Sequence, residues 1–186
     1  MTATPRPTPD GMVSTAVKLT SPRKAIASGI AYLPEGRAAN AFFPMMTVAQ
    51  NATLPRLSKF IGLGGLINNP MESAAVSALL KRLDLRPLKG AAKAKIRTFS
   101  GGNQQKAIIA RWLLGSADIF LFDEPTQGID VGAREQVYEV IRELAEKGAG
   151  IIVVSSDAEE LARLCSTVCV MIDGTLERRL TGNDIT

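Results

Sequence analysis

Two groups of residues have types and spacing that could do chemistry on a phosphate. The first is Ser100-Gly101-Gly102-Asn103-Gln104, which opens a segment with a helical apolar stripe. Unpaired backbone N–H groups and the helix dipole favour an anion at a helix N-terminus, and glycine lets a bulky ligand approach that backbone closely. Taken alone, the stretch is explained equally well by a serine N-cap followed by a polar first turn.

The second group is the carboxylate pair Asp123 and Glu124, which follows the apolar run Asp118–Phe122. Ligands of open α/β sheets bind beyond the carboxyl ends of the strands. One carboxylate could therefore hold Mg²⁺ while its neighbour orients or deprotonates a water. A polar strand end before a proline turn is the alternative. Packing alone hardly explains a Ser-Gly-Gly helix start 23 residues before such a pair.

The elements that must position these residues alternate between strand and helix. Short apolar runs predict buried parallel strands at Ile30–Leu33, Asp118–Phe122 and Ile151–Val154. The pattern is mostly helical from Thr47 to about Arg97, with helical spacing again after Asp130. The alternation predicts an α/β parallel sheet interrupted by a helical insert.

Three local signals refine this prediction. Asn69-Pro70 is typical of a helix start, and Asp157 with Glu160 resembles a capping box. Asp173-Gly174 predicts a hairpin turn near the C-terminal end.

Composition excludes several classes of function. The 186 residues carry a net charge of +4 from scattered basic side chains, which does not indicate a nucleic-acid partner. The sequence has no histidine, which excludes histidine-based metal sites and Ser-His triads. Cys165 and Cys169 are expected to be small buried residues, with Cys169 in a strand. No apolar run reaches the roughly 18 residues of a membrane span.

Four stretches carry a resemblance to a known family. They are "FSGGNQQK", "FLFDEP", "TQGID" and "GIAYLPEGR", in that family's spacing from about Val17 to about Leu180. The chain resembles the nucleotide-binding subunit of ABC transporters, most closely the sugar-import class that handles ribose, galactose or xylose. The stretches then correspond to the signature, Walker B, the D-loop and the Q-loop region. The resemblance implies an incomplete P-loop NTPase sheet of the ABC type, with an inserted helical subdomain.

The resemblance also implies a division of the chain. Residues 1–16, rich in Thr, Pro and Ala, are expected to be a disordered tail, and 17–46 the Q-loop part of the α/β core. Residues 47–98 would form the helical subdomain, and 99–186 the signature helix, Walker B, D-loop and C-terminal core. In that class one polypeptide carries two such domains. Glu35 at the Q-loop position and Ser156 at the switch-histidine position are typical of the second one.

Site roles follow from the same resemblance. Asp123 would bind Mg²⁺ through water, Glu124 would be the catalytic base, and Asp130 would couple two sites across a dimer. The signature residues Ser100, Gly101, Gly102 and Gln104 would contact the γ-phosphate of ATP that is held mainly by the opposite domain. Asn103 would also belong to this ATP-binding stretch.

The implied partners are a complete nucleotide-binding domain, membrane-spanning permease subunits and, indirectly, a periplasmic or extracellular sugar-binding protein. The implied location is cytoplasmic, at the inner face of the plasma membrane.

One expected motif is absent, because G-x-x-x-x-G-K-[ST] occurs nowhere in the sequence. That loop supplies the backbone cradle and the lysine that hold the phosphates. We therefore expect a truncated domain that is inactive by itself. Three hypotheses remain open: a half-site that lends its signature to a partner, a non-catalytic interaction module, and an inactive gene remnant. Lost strands should also expose a sheet edge and apolar faces of helices such as 133–147, which favours self-association.

Overall fold

The computed structural model describes residues 6–7, 13–14, 17–36, 40–115 and 117–185. The strands in chain order are β1 (Arg6–Pro7), β2 (Val13–Ser14), β3 (Ile30–Leu33), β4 (Ile119–Asp123), β5 (Gly150–Val154), β6 (Thr167–Ile172) and β7 (Thr175–Thr181). The α-helices are α1 (Pro22–Ala27), α2 (Val48–Thr53), α3 (Asn69–Arg82), α4 (Gly101–Leu113), α5 (Val131–Glu146) and α6 (Ala158–Leu164). Short 3-10 turns lie mainly between α2 and α4.

The central feature is a parallel sheet, as the alternating pattern predicted, and its strands lie in the order β3-β4-β5. Its inner face carries Leu33, Phe120 and Phe122, all buried, and the two phenylalanine rings stack with centroids 5.9 Å apart. Residues of α4 and α5 belong to the same hydrophobic cluster. Burial of these rings against two helices stabilises the sheet and fixes which way each strand faces.

The outer face of this sheet is much less covered. Side chains alternate along each strand, so Tyr32, Ile119, Ile152 and Val154 all lie opposite the core face. They are 47%, 40%, 55% and 57% exposed. Parallel sheets normally bury both faces, so this uncovered apolar surface is unusual.

The expectation that the helix at 133–147 would expose its apolar face is wrong. In α5 the apolar stripe is buried, because it packs against the inner face of the sheet and α4. The exposed apolar surface lies instead on the strands.

The helical insert packs against α4. Val76 and Leu80 of α3 are fully buried, and they share one cluster with Val48 of α2 and Ile108 of α4. Thr53 donates a 2.6 Å hydrogen bond to Glu72, which joins α2 to α3 inside the core. Both the insert and the sheet therefore pack against α4.

The structure corrects several local predictions about helix caps and cysteine burial. The N-cap of α3 is Asn68, one residue earlier than expected. Asp157 caps α6 as expected, but buried Glu160 accepts from Thr126 rather than closing the capping box. Cys165 is half-buried while Cys169, although in β6 as expected, is exposed; both are free thiols.

At the N-terminus, β1 and β2 pair in antiparallel fashion within the stretch expected to be disordered. The rest of 1–16 lies outside the described residues. The hairpin of β6 and β7 turns at Asp173-Gly174 as predicted. No helix in the described part of the chain combines the length and apolarity needed to cross a membrane.

Leu80→Ala is expected to lower the free energy of unfolding by about 2–5 kcal/mol, because it leaves a cavity where α3 meets the core. Met71→Ala, on the exposed side of the same helix, should change it by less than about 0.5 kcal/mol. Urea denaturation followed by circular dichroism measures both. Equal losses in the two variants would contradict this packing.

Candidate functional site

The predicted carboxylate Asp123 is the last residue of β4 and is half-buried at the carboxyl end of the sheet. The Tyr32 hydroxyl, from the neighbouring strand β3, donates a 2.9 Å hydrogen bond to Asp123 Oδ2. This bond to the carboxylate raises the pKa of the Tyr32 hydroxyl, with desolvation adding to the effect. Tyr32 therefore keeps its proton at neutral pH and orients one oxygen of Asp123.

Glu124 leaves the strand in a left-handed conformation, with φ of 47°. Its backbone N–H donates to Val154 O at 2.9 Å, which ties the turn to β5. Its Oε1 accepts a 2.7 Å hydrogen bond from the backbone N–H of Ser156. Non-glycine residues seldom adopt positive φ, and such residues concentrate at functional sites. The strained turn sends the two adjacent carboxylates in different directions.

The Q-loop position also reaches this end of the sheet. Glu35, two residues beyond β3, accepts a 3.2 Å hydrogen bond at Oε1 from Gln127 Nε2. The structure therefore brings Glu35, Asp123, Glu124 and Ser156 to one edge of the sheet. These four were singled out from sequence, and they arise from three neighbouring strands.

The predicted signature residues lie apart, at the N-terminus of α4. Ser100 is the exposed N-cap, and its side chain makes no capping bond to its own helix. Asn103 donates 2.7 and 3.2 Å hydrogen bonds to Arg86 O and Ser100 Oγ, and it accepts a 3.2 Å bond from Arg86 N. Gln104 Nε2 donates to Phe99 O at 2.9 Å. The first turn of α4 is thus held in place by the part of the chain that precedes it.

Gly102 is required for packing. A Cβ atom there would lie 2.5 Å from Ala133 Cβ at the start of α5. Asp130 is the N-cap of α5, and its Oδ1 accepts from Ala133 N at 2.9 Å. A bulky side chain at Gly102 would therefore force the two helix N-termini apart, whatever ligand binds there. Gly102 is a poor position at which to test ligand contact.

Sequence reasoning missed three residues that connect these groups: Tyr32, Gln105 and Gln127. Buried Gln105 of α4 donates to Pro125 O at 2.5 Å and so joins the signature helix to the turn after Glu124. Tyr32 could have been found from strand alternation, since it shares the outer face that ends in Asp123. Nothing in the local sequence indicates the roles of Gln105 and Gln127, because their partners are 20 and 92 residues away.

The structure thus contains two separate candidate sites. One is the exposed N-terminus of α4, and the other is the carboxyl end of the sheet that carries Asp123 and Glu124, here called the carboxylate edge. Among the described residues, no three Asp, Glu, Cys or His side chains form a metal-binding group. Mg²⁺ in phosphate-binding sites usually takes one or two carboxylates and completes its coordination with water and phosphate oxygens. Asp123 suits that role. Ser100 and the backbone beside it suit an incoming phosphate.

Comparison with known proteins identifies the family of this framework. The family model described as "ABC transporter" matches residues 3–127, more than half of the chain. The ribose import ATP-binding protein of Clostridium tetani is 39% identical over 91% of this chain and 33% of its own length. The arabinose import ATP-binding protein of Chromohalobacter salexigens is 40% identical over 84% of this chain and 31% of its own length. The chain thus spans about a third of the curated relatives it matches.

Solved structures agree in fold. A dimeric ATP-binding cassette in a post-hydrolysis state, bound to ADP and Pi, has a TM-score of 0.70 at 23% identity. The match covers 92% of this chain and 71% of that cassette. A dimeric bacterial ABC transporter cassette has a TM-score of 0.65 at 26% identity, covering 81% and 61%. The chain therefore belongs to the ABC transporter family and has the fold of its ATP-binding cassettes.

Proposed function

We propose that this chain is a partial ATP-binding subunit of a sugar importer and lends its signature half-site to a complete partner domain. The observation that carries the proposal is the exposed N-terminus of α4, with Ser100 at its tip and Asn103 anchoring it to Arg86. This surface needs no phosphate loop of its own if the nucleotide is held by another domain. An anion docked there gains from the helix dipole.

The carboxylate edge has a second, conditional role. Asp123 would hold Mg²⁺ through water, and Glu124 would act as the catalytic base, only where a phosphate-binding loop anchors a nucleotide beside them. The bound metal would supply charge stabilisation to the phosphates. The Ser156 N–H holds Glu124 Oε1, and the Tyr32 hydroxyl holds Asp123 Oδ2. Asp130 would couple the two sites, since it caps α5 directly beside Gly102.

The relatives' names support the transport role. They are called ribose, galactose/methyl galactoside and arabinose import ATP-binding proteins. By that likeness we infer membrane-spanning permease partners that contact residues 47–98, and indirectly a sugar-binding protein outside the membrane. The chain would work in the cytoplasm at the inner face of the plasma membrane. Nucleic acid is not among the inferred partners.

Calorimetric titration of Mg-ATP tests the half-site. The chain alone should not bind, because it has no phosphate loop. Its mixture with a complete cassette should bind ATP more tightly than the cassette alone. No change on mixing would contradict the half-site and favour an interaction module or an inactive remnant. Micromolar binding by the chain alone would contradict the role assigned to the missing loop.

If the half-site acts as proposed, the chain should stimulate the ATP turnover of the complete cassette. Ser100→Arg is expected to lower this stimulation by at least about tenfold, since a long side chain would occupy the phosphate position. Ser77→Arg provides a matched control on the exposed surface of α3 and should leave stimulation unchanged. A coupled phosphate-release assay compares the two. Equal effects would show that the α4 N-terminus does not contact the nucleotide.

The substitution Glu124→Gln tests whether turnover depends on the carboxylate edge or only on the N-terminus of α4. Glutamine keeps the oxygen that accepts from Ser156, so the turn should survive. In the mixture with a complete cassette, turnover should stay within about twofold, because the nucleotide held there is served by the cassette's own catalytic residues. The same assay measures it, with Glu177→Gln on exposed β7 as control. A large loss for Glu124→Gln alone would contradict the half-site assignment.

A further inference from the structure

Both side-chain N–H donors of Asn103 are used inside the chain. Its Nδ2 donates hydrogen bonds of 2.7 Å to Arg86 O and 3.2 Å to Ser100 Oγ, and its Oδ1 accepts a 3.2 Å bond from Arg86 N. An asparagine amide carries only two N–H donors. Asn103 therefore has no donor left for a phosphate, which differs from the nucleotide contact that the family resemblance implies for it.

The backbone of Ser100 is held by Gln104 at two points. Phe99 O accepts a 2.9 Å hydrogen bond from Gln104 Nε2, and Ser100 O accepts one of the same length from Gln104 N. Rotation about χ1 is then the main freedom left to the Ser100 side chain. The bond from Asn103 removes this freedom, because it fixes where Ser100 Oγ lies.

The same bond decides how the Ser100 hydroxyl can be used. A hydroxyl carries one donor and two acceptor lone pairs. Ser100 Oγ accepts from Asn103, and in the described part of the chain it donates to no other group. Ser100 is also exposed. Its hydroxyl proton is therefore available to an anion in front of α4.

The turn that anchors Asn103 is itself fixed. Arg86 follows Asp84, which has a left-handed φ of 47°, and Leu85, which is only 1% exposed. Buried Lys106, one helical turn after Asn103, donates to Asp84 O at 2.8 Å. Residues three apart on a helix lie on the same face. Asn103 and Lys106 therefore hold one turn together, and Arg86 gives Asn103 a fixed point of attachment.

We propose that Asn103 is a positioning residue of the half-site. It joins the turn at Arg86 to Ser100, and it directs the Ser100 hydroxyl toward a phosphate of the nucleotide that the partner domain holds. Asn103 itself does not touch that nucleotide. This inference rests on the proposed function, and it names the residue on which the Ser100 contact depends. Ser100 and Asn103 then act as one unit in turnover.

Amide hydrogen exchange of the full chain, followed by NMR, tests the hydrogen bonds without a partner. The side-chain amide protons of Asn103 should exchange at least about tenfold more slowly than those of exposed Asn69. Asn103→Ala should speed exchange at the Arg86 backbone amide at least about tenfold, because its acceptor is removed. The Leu85 amide, bonded to Leu80 O, should change by less than about twofold if the fold is intact.

A double-mutant cycle tests whether Asn103 acts through Ser100. Ser100→Ala and Asn103→Ala should each lower the stimulation of a complete cassette's Mg-ATP turnover by at least about fivefold, the effect of one hydrogen bond. The double variant should stay within about twofold of Ser100→Ala, because Asn103 has no hydroxyl left to direct. Asn69→Ala, the same substitution in the exposed first turn of α3, should leave stimulation unchanged.

Each part of the proposal has an outcome that would overturn it. Fast exchange of the Asn103 side-chain protons, or unchanged exchange at Arg86 in Asn103→Ala, would show that the bonds do not form. Normal stimulation by Asn103→Ala, or losses that multiply in the double variant, would overturn the positioning role and leave the proposed function standing. No stimulation by the unmodified chain would contradict the proposed function itself, and the positioning role would fall with it.

Discussion

The parallel pairing of β4 between β3 and β5 is the constraint on which the site depends. Its register aligns Leu33 with Phe122 and Asp123 with Val154, so the three strands end at nearly the same level. Because side chains alternate, burial of Phe120 and Phe122 forces Asp123 onto the opposite face, where Tyr32 meets it. A shift of one residue would bury the carboxylate and expose the ring.

The helix α4 connects this edge to the rest of the molecule. Its Gln105 reaches the turn after Glu124, and buried Lys106 donates to Asp84 O at 2.8 Å. Farther along, Arg111 donates to Asn51 O in α2, and burial lowers the pKa of its guanidinium to about 10. Each of these bonds pairs a polar group of a buried or half-buried side chain, and leaving that group unpaired would be costly. They hold the helix at a fixed position, and with it the presentation of Ser100.

The molecule is thus well packed on one side of its sheet and open on the other. The insert, α4 and α5 share a continuous core, while the outer face keeps apolar side chains at the surface. The division between a packed core and an open sheet face also separates the two sites. The signature surface belongs to the packed side, whereas Asp123 lies with Tyr32 on the open face.

The sequence by itself determined the strands of the parallel sheet and the main helices, because apolar runs, caps and short motifs act over a few neighbouring positions. It also singled out the candidate site residues, whose roles stay predictions. Motif spacing also indicated the family, which the comparisons confirm. Only the tertiary structure decided which apolar surface stays exposed, because the sequence had led us to expect a sheet edge and helices such as 133–147 to be exposed, whereas the apolar stripe of α5 is buried. It also decided that Gly102 is fixed by Ala133 and that Tyr32, Gln105 and Gln127 complete the site. The reason is physical: these contacts join residues far apart in the chain, and packing rather than local preference selects them.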